Sequence, residues 1–194
     1  MSKEVMLPVP MSRTMYLPTQ VSQESMFMLT KAIIDINQND RLLEKVYALN
    51  GLIYEAKPIN MMIDSYGGQA YQCFGLISVM KASRTPIHTF VTGCAMSCGF
   101  LILIHGNKRF GFEYSTPLYH QVSAGAMGKL KQMEESVAEA KRLQAIVEKM
   151  TLENTKITKD KLKEIYEKKV DWFMSVKEAQ KLGVIDEIIT HLDF

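Results

Sequence analysis

The 194-residue sequence predicts an α/β fold with a mainly parallel sheet. Three observations support this prediction. Short apolar segments of strand length alternate with longer segments of helical periodicity, and strands joined through helices pair in parallel. Apolar residues make up 47% of the chain and charged residues 23%, which is typical of a folded domain with a core. The length fits a single domain, which we expect to span residues 1–194.

The first half of the chain contains three strand candidates and three helix candidates. In order they are a strand at Thr14–Leu17, a helix from Ser22 to about Asn37, a strand at Ile59–Ile63, a helix at Ala70–Met80, a strand at Ile87–Val91 and an apolar helix from Ser97 to about Ile104. Ser22 is a preferred N-cap residue, and the apolar residues from Ala70 onwards recur at helical spacing. Residues 39–57 are polar and weakly periodic, so we expect a link there.

The second half continues the alternation of strands and helices. Strands are predicted at Arg109–Phe112 and Leu118–Val122, a Gly-containing link at Ser123–Lys129, a long helix at Leu130–Asn154, short helices from Thr158 and Ser175, and a last strand at Val184–Ile189. The predicted apolar spine of the long helix is Met133, Val137, Ala140 and Ile146. Ser175 and Glu178 have the spacing of a capping box, and Gly183 suits a helix end.

Charge and cysteine content narrow the functional classes. The 23 basic and 21 acidic residues leave a net charge of +2, which argues against a nucleic-acid partner. The longest apolar run, Phe100–Ile104, is too short to span a membrane, and the first residues contain no apolar segment of signal-peptide length. We therefore expect a cytoplasmic protein. The three cysteines contain no C-x-x-C pair, so we expect neither a disulfide framework nor a bound metal.

The segment from Ile87 to Leu101 combines a strand, a turn of small residues and an apolar helix. Ser97 lies where this helix begins. Small neighbours permit a sharp turn that exposes the Ser97 hydroxyl, and unpaired N–H groups at a helix start stabilise an alkoxide or an oxyanion. The arrangement follows the logic of a nucleophile elbow without a literal G-x-S-x-G motif. A Ser97 that only caps the helix remains the alternative.

The pair Gly67-Gly68 follows a strand and precedes a helix. Paired glycines allow close backbone approach and leave N–H groups free to face a ligand, although a simple tight turn needs the same residues. The sequence contains neither G-x-x-x-x-G-K-[ST] nor G-x-G-x-x-G, so we expect no nucleotide site.

A serine nucleophile needs a base, and the base needs an orienting acid. Among the four histidines, His120 is the best-placed candidate, near the centre of a predicted strand and before a flexible link. Asp171 lies beside Trp172 and Phe173, where an unpaired carboxylate is costly, which suggests a fixed partner. A structural histidine and a surface turn aspartate are the alternatives.

Three segments, taken together, resemble the ClpP family, the proteolytic subunits of Clp proteases. They are Gly93–Gly99 around Ser97, Leu118–Gln121 around His120, and Asp171–Ala179. Ser65–Gly68 and Gly183–Ile189 also resemble family segments, and the likeness covers about residues 13–192. The chain order Ser–His–Asp differs from that of chymotrypsin-like enzymes and of α/β-hydrolases.

The resemblance implies a ClpP/crotonase-like fold with flanking helices and a protruding helix-strand handle. The head would span about residues 13–122 and 171–194, and the handle about residues 123–155. It also implies a serine endopeptidase that cleaves peptide bonds of unfolded polypeptides inside two stacked rings of seven subunits.

The resemblance further assigns roles to individual residues. Ser97 would be the nucleophile, His120 the general base and then acid, and Asp171 the orienting carboxylate. The backbone amides of Gly68 and Cys98 would form the oxyanion hole. The implied substrate-binding residues, where a peptide would add as a β-strand, are Gly67, Gln121, Val122, Ser123, Ala124 and Gly125. We also expect a larger side chain at Gly68 to reduce the reaction rate more than it impairs folding.

No cofactor is expected in this chain, because in the family ATP is used by a separate Clp/Hsp100 unfoldase. The sequence departs from the family pattern at several positions. Asn60 and Met62 stand where the family often has the aromatic residues of its ATPase docking pocket, Tyr66 replaces a proline, and Trp172 replaces a basic residue. Three alternatives stay open: a non-catalytic ring subunit, a self-sufficient peptidase without an ATPase, and a crotonase-type acyl-CoA enzyme.

Overall fold

A seven-stranded, mainly parallel sheet forms the centre of the computed structural model, which describes residues 11–191. The strands are β1 (Thr14–Leu17), β2 (Gln20–Val21), β3 (Ile59–Ser65), β4 (Gly67–Gly68), β5 (Ile87–Met96), β6 (Lys108–Gly111), β7 (Thr116–Tyr119), β8 (Trp172–Phe173) and β9 (Glu187–Ile188). The helices are α1 (Gln23–Leu49), α2 (Ala70–Ala82), α3 (Cys98–Leu103), α4 (Leu130–Asn154), α5 (Lys159–Lys168) and α6 (Val176–Lys181). The first residues of the chain, on which the signal-peptide expectation rested, lie outside the described residues.

The sheet has the order β1-β3-β5-β6-β9, and every neighbouring pair along this path is parallel. Strand β5 is long enough to have two partners on one side: its first half pairs with β6, and its last residues pair with β7. Strand β8 then pairs antiparallel with β7. The predicted α/β fold with a mainly parallel sheet and flanking helices is confirmed.

The core lies between the sheet and helices α1, α2 and α3, and α3 is buried along its whole length. The predicted bounds of α2 and α4 agree closely with the structure, and Ser22 caps α1 by accepting the Ser25 N–H. Strand β7 ends at Tyr119, earlier than predicted, so His120 follows the strand instead of lying near its centre. Within residues 11–191, no helix combines the length and apolarity that crossing a membrane requires.

Helix α1 corrects the prediction of a link at residues 39–57, because the helix continues to Leu49. Its additional turns are held by tertiary contacts. Leu43 is fully buried, and the buried carboxylate of Asp40 accepts hydrogen bonds from Arg13, Tyr54 and Thr85. A polar stretch therefore stays helical because a buried ion pair and its neighbours fix it from outside the helix.

Helix α4 has an exposed first half and a partly buried second half. The buried residues are Leu143, Gln144, Val147 and Thr151. Of the predicted spine, Met133 is 39% exposed and Val137 is 50% exposed. In the single chain, the predicted apolar spine is therefore exposed at these two positions, and the first half of α4 presents apolar side chains to solvent.

Candidate active site

Ser97 occupies the sharp turn between β5 and α3. Its backbone has φ 54° and ψ −118°, a left-handed conformation that non-glycine residues rarely adopt. Ser97 stands at the N-cap position, yet its side chain makes no capping hydrogen bond. Strain of this kind persists only where the surrounding structure enforces it, and it is concentrated at functional sites. The alternative of a plain helix cap therefore loses its physical basis.

Neighbouring backbone fixes this turn from two sides. The Ser97 N–H donates to the carbonyl of Leu118 at 3.1 Å, which ties the turn to β7. On the other side, a Cβ added to Gly67 would lie 2.7 Å from the Met96 carbonyl oxygen and 2.7 Å from Ser97 Cβ. Gly67, with φ 92°, therefore permits an approach that no other residue allows.

The glycine pair is a short strand, β4, that pairs in parallel with β2, and not only a tight turn. At Gly68, φ is 147°, and an added Cβ would lie 2.3 Å from the Val21 carbonyl oxygen. The expectation that a larger side chain here affects rate more than folding is therefore wrong, because the clash breaks the β2–β4 pairing. A substitution at Gly68 cannot separate catalysis from folding.

A cavity of about 640 Å³ opens beside Ser97. Of the sequence-predicted site residues, it is lined by Gly68, Ser97, Cys98, His120, Gln121, Val122, Ser123 and Ala124. The walls are largely apolar and include Phe100, Leu101, Leu143 and Val147. Gly67, Gly125 and Asp171 do not line it. The fold thus brings together at one cavity most of the residues that the sequence predicted.

His120 and Asp171 are placed close to each other by the β7–β8 ladder. The ladder pairs Leu118 with Phe173 and Tyr119 with Trp172; His120 follows the last paired residue of β7, and Asp171 precedes the first paired residue of β8. His120 Nδ1, however, lies 2.5 Å from the carbonyl oxygen of the adjacent Gln121. Within residues 11–191, no hydrogen bond joins the side chains of Ser97, His120 and Asp171 to one another.

The contact with Gln121 fixes the tautomer of His120. A carbonyl oxygen only accepts, so this hydrogen bond requires the proton on Nδ1, which in the neutral ring leaves Nε2 as the acceptor. In the single chain, the Gln121 carbonyl therefore orients the imidazole, as a carboxylate does in a catalytic triad.

Gln144 was missed by the sequence analysis. Its buried side chain accepts the Val122 N–H at 2.8 Å, donates to Glu148 at 2.8 Å and lies 3.5 Å from the Tyr119 hydroxyl. Gln144 thereby holds the start of residues 120–129, a segment without regular secondary structure. A glutamine between the apolar residues of α4 was the available signal.

A second tether joins α2 to α4 at the rim of the cavity. The Tyr71 hydroxyl donates to Glu139 at 2.5 Å, and Arg142 holds the same carboxylate with two hydrogen bonds of 2.7 Å. The hydrogen bonds from Arg142 and Tyr71 lower the pKa of Glu139 to about 2.

A larger cavity of about 790 Å³ lies at the opposite end of the strands. It is lined by Asn60 at the start of β3, His88 and Phe90 in β5, Phe110 in β6 and Ile188 in β9. Burial and the nearby Lys108 lower the pKa of His88. Because Ser97 follows the last residue of β5, this second cavity is separated from it by the length of the sheet.

Comparison with known proteins agrees with the resemblance found in the sequence. Residues 11–192 match the family model described as Clp protease. The chain is 32% identical over 133 residues to a protein of Deinococcus radiodurans named ATP-dependent Clp protease proteolytic subunit. The alignment covers 68% of this chain and 64% of that protein, less than two thirds of the relative's length. The sequence motifs, the parallel α/β fold and these matches together place the chain in the Clp protease family.

Proposed function

We propose that the chain is a serine endopeptidase that hydrolyses peptide bonds of unfolded polypeptides, as the proteolytic subunit of an ATP-dependent Clp protease. One observation carries this proposal above all others. Ser97 is held in a strained strand-to-helix turn beside a cavity that His120 also lines. Membership of the Clp protease family supports the same activity.

Ser97 and His120 carry the covalent chemistry in this proposal. His120 Nε2 accepts the Ser97 hydroxyl proton while Ser97 Oγ bonds to the peptide carbonyl carbon. The C–N bond then breaks as His120 returns the proton to the leaving amine. A water molecule, deprotonated by His120, attacks the acyl-enzyme, releases the carboxylic acid and restores Ser97.

The backbone amides of Cys98 and Gly68 hold the oxyanion. Cys98 is the first residue of α3, so its N–H has no partner within the helix. Gly67 packs against this amide, because a Cβ added there would lie 2.9 Å from Cys98 N. The proposed chemistry uses backbone and side-chain groups alone and needs no cofactor or metal.

The segment 121–125 binds the substrate backbone, with Gly67 on the other side of the site. Residues 123–125 are exposed and without regular structure, which leaves their backbone groups open to pair with an extended peptide. The apolar cavity walls at Phe100, Leu101 and Leu143 suit an apolar side chain of the substrate.

Assembly into two stacked rings of seven copies would complete the site. The first half of α4 exposes Leu130, Met133 and Val137, an apolar face suited to a second copy of this chain. Asp171 would then replace the Gln121 carbonyl as the partner of His120 Nδ1. The second cavity is lined by Asn60, one of the positions where the family often has its docking aromatics, and in this proposal it would receive a cytoplasmic Clp/Hsp100 unfoldase.

A Ser97→Ala variant tests the proposal. We expect hydrolysis of a short fluorogenic peptide to fall by roughly six orders of magnitude, to the detection floor, because the nucleophile is lost. Folding and assembly mass should match those of the wild type. Substantial hydrolysis by Ser97→Ala would remove Ser97 as the nucleophile.

The position of His120 favours one second candidate, a non-catalytic ring subunit. In the single chain, the Gln121 carbonyl holds the imidazole, and among the described residues Asp171 makes no hydrogen bond to it. This candidate would be favoured if the assembled wild type hydrolysed no peptide, either as purified or after an active partner subunit had been removed. Hydrolysis without any unfoldase, and unchanged when one is added, would favour a self-sufficient peptidase.

A further inference from the structure

Two cysteines meet directly beneath the Ser97 turn. Cys73 lies on α2 and is fully buried, whereas Cys98 opens α3 and lines the cavity. The Cys73 thiol donates to the Cys98 carbonyl oxygen at 3.5 Å, and the Cys98 thiol donates to the Gly68 carbonyl oxygen at 3.3 Å. The proposed peptidase chemistry uses neither sulfur.

We propose that Cys73 and Cys98 are an oxidative modification site, at which hydrogen peroxide converts the two thiols into a reversible disulfide. The geometry supports three requirements of this chemistry. The two residues lie on packed elements, Cys98 lines the cavity, and a hydrogen bond between the two thiols places Cys73 near enough to resolve an oxidised Cys98 sulfur. Cys98 is only 4% exposed, so the site suits a small oxidant and disfavours bulky ones.

The two sulfurs are unequal, and this sets the order of events. Hydrogen bonding from Cys73 lowers the pKa of Cys98, while the same bond and burial raise the pKa of Cys73. Since the thiolate is the reactive form, Cys98 reacts first. The third cysteine, Cys94, is a natural control, because burial and the nearby Asp64 raise its pKa to about 11.

The reaction proceeds in two balanced steps. The Cys98 thiolate attacks one peroxide oxygen, the O–O bond breaks, and the departing hydroxide takes up a proton as water, leaving a sulfenic acid. The Cys73 sulfur then attacks the Cys98 sulfur, the S–O bond breaks, and the departing hydroxide takes the Cys73 proton. The two thiols lose two electrons, and peroxide is reduced to two molecules of water.

Disulfide formation changes the site next to Ser97. A disulfide removes the Cys98 thiol hydrogen, so the bond to the Gly68 carbonyl oxygen is lost, and the first residue of α3 is tied covalently to α2. If the Cys98 amide is an oxyanion donor, which rests on the proposed function, peptide hydrolysis falls by about a hundredfold, the usual cost of losing one donor. Dithiothreitol restores it.

The test treats the full-length assembled chain with hydrogen peroxide, blocks the remaining thiols and maps disulfides by mass spectrometry. We expect one peptide pair linked through Cys73 and Cys98, lighter by two hydrogen masses, and unmodified Cys94. In Cys73→Ser, which keeps a donor for the Cys98 carbonyl, we expect no link and a dimedone-trapped sulfenic acid at Cys98. Cys94→Ser should behave like the wild type.

Peroxide treatment that leaves Cys98 unmodified, or oxidises Cys94 first, would overturn the proposal. A sulfenic acid at Cys98 in the wild type that never resolves onto Cys73 would overturn it as well. The mass readout is independent of peptide hydrolysis. An untreated chain without peptide hydrolysis would thus contradict the proposed function, while the linked peptides would still show whether Cys73 and Cys98 form a disulfide.

Discussion

The two halves of the candidate active site differ in how firmly the chain holds them. The Ser97 turn lies between a buried helix, the Gly67 backbone and the Leu118 carbonyl, and its strained conformation is fixed by these contacts. The segment 120–129 is largely exposed and has no regular secondary structure. Two side chains of α4 anchor its ends: Val122 N–H donates to Gln144, and Lys129 N–H donates to Gln132.

If Ser97 is the nucleophile and His120 the base, as proposed, this difference means that one chain holds the nucleophile firmly but leaves the base without its final partner. The strain at Ser97 is local and is enforced by backbone packing, so it needs nothing from outside the chain. In the proposed function, the partner of His120 would change from the Gln121 carbonyl to Asp171 on assembly. A peptidase built this way would be switched on by assembly.

Among the variants that test the difference between the two halves of the site, Gly67→Ala is expected to have the largest effect on stability and hydrolysis. The added methyl group would lie 2.7 Å from the Met96 carbonyl oxygen at a residue with positive φ. We expect a loss of about 3 kcal/mol in the free energy of unfolding, and loss of peptide hydrolysis by about a hundredfold or more. Denaturant unfolding and peptide hydrolysis measure the two effects.

Gly75→Ala is the matched control, since a Cβ there meets nothing within 4 Å. It lies within α2, where alanine is favoured over glycine by about 1 kcal/mol. Equal stability of Gly67→Ala and Gly75→Ala would contradict the claim that the Ser97 turn is rigidly held.

Asp40→Asn tests whether stability elsewhere in the fold is independent of the site. Burial alone would raise the Asp40 pKa, but hydrogen bonds from Arg13, Thr85 and Tyr54 outweigh it and hold the pKa below its usual value. Its stabilisation is therefore complete above the ordinary carboxyl pKa of about 4 and is lost as the pH falls through the lower folded value.

We expect Asp40→Asn to cost about 3 kcal/mol near neutral pH, because Arg13 loses its buried partner. The variant should show a weaker loss of stability on acidification than the wild type, and an unchanged hydrolysis rate per folded chain. The exposed Asp35→Asn, which breaks only a surface pair with Lys31, is the control. A changed hydrolysis rate per folded chain in Asp40→Asn would show that the region around Asp40 is coupled to the candidate active site.

Gln144→Leu tests the more weakly held half of the site, the segment 120–129. The variant leaves the Val122 N–H without its acceptor, at a cost of about 1 kcal/mol in stability. We expect kcat to fall about tenfold and KM to rise, because Val122, in the proposed substrate-binding segment next to His120, loses its anchor. Glu148→Gln keeps the Gln144–Val122 bond and should retain full kcat. Equal kinetics for both variants would remove the positioning role.

The smallest expected effect comes from comparing Ser97→Gly with Ser97→Ala. Both variants lack the nucleophile, but only glycine adopts φ 54° without strain. We expect the glycine variant to be more stable by about 1 kcal/mol. A more stable alanine variant would mean that the turn relaxes and that no strain is stored at Ser97.

The sequence predicted the Ser97 turn well because its signals are local. A strand, small residues and an apolar helix follow one another within fifteen residues, and the paired glycines mark a close backbone approach. The same holds for α2 and α4, whose bounds follow from helical periodicity and capping residues. Such features depend on neighbours along the chain, which a single sequence displays.

The features that the sequence did not predict depend on contacts distant in the chain. Helix α1 extends beyond Asn37 because Asp40 is held by residues from three other segments. Strands β2 and β8 are two residues long, too short for an alternating pattern. The contact of His120 with Gln121 and the hydrogen bond between Gln144 and Val122 depend on side-chain conformations, which the hydrophobic periodicity of a sequence does not predict.

The most direct test measures peptide hydrolysis per chain across a dilution series, with assembly mass recorded on the same samples. Ser97→Ala at each concentration supplies the background. We predict that the rate per chain follows the assembled fraction and disappears in dissociated chains that remain folded. Dissociated wild-type chains hydrolysing peptide at the assembled rate would contradict the claim that one chain leaves its catalytic base unfinished.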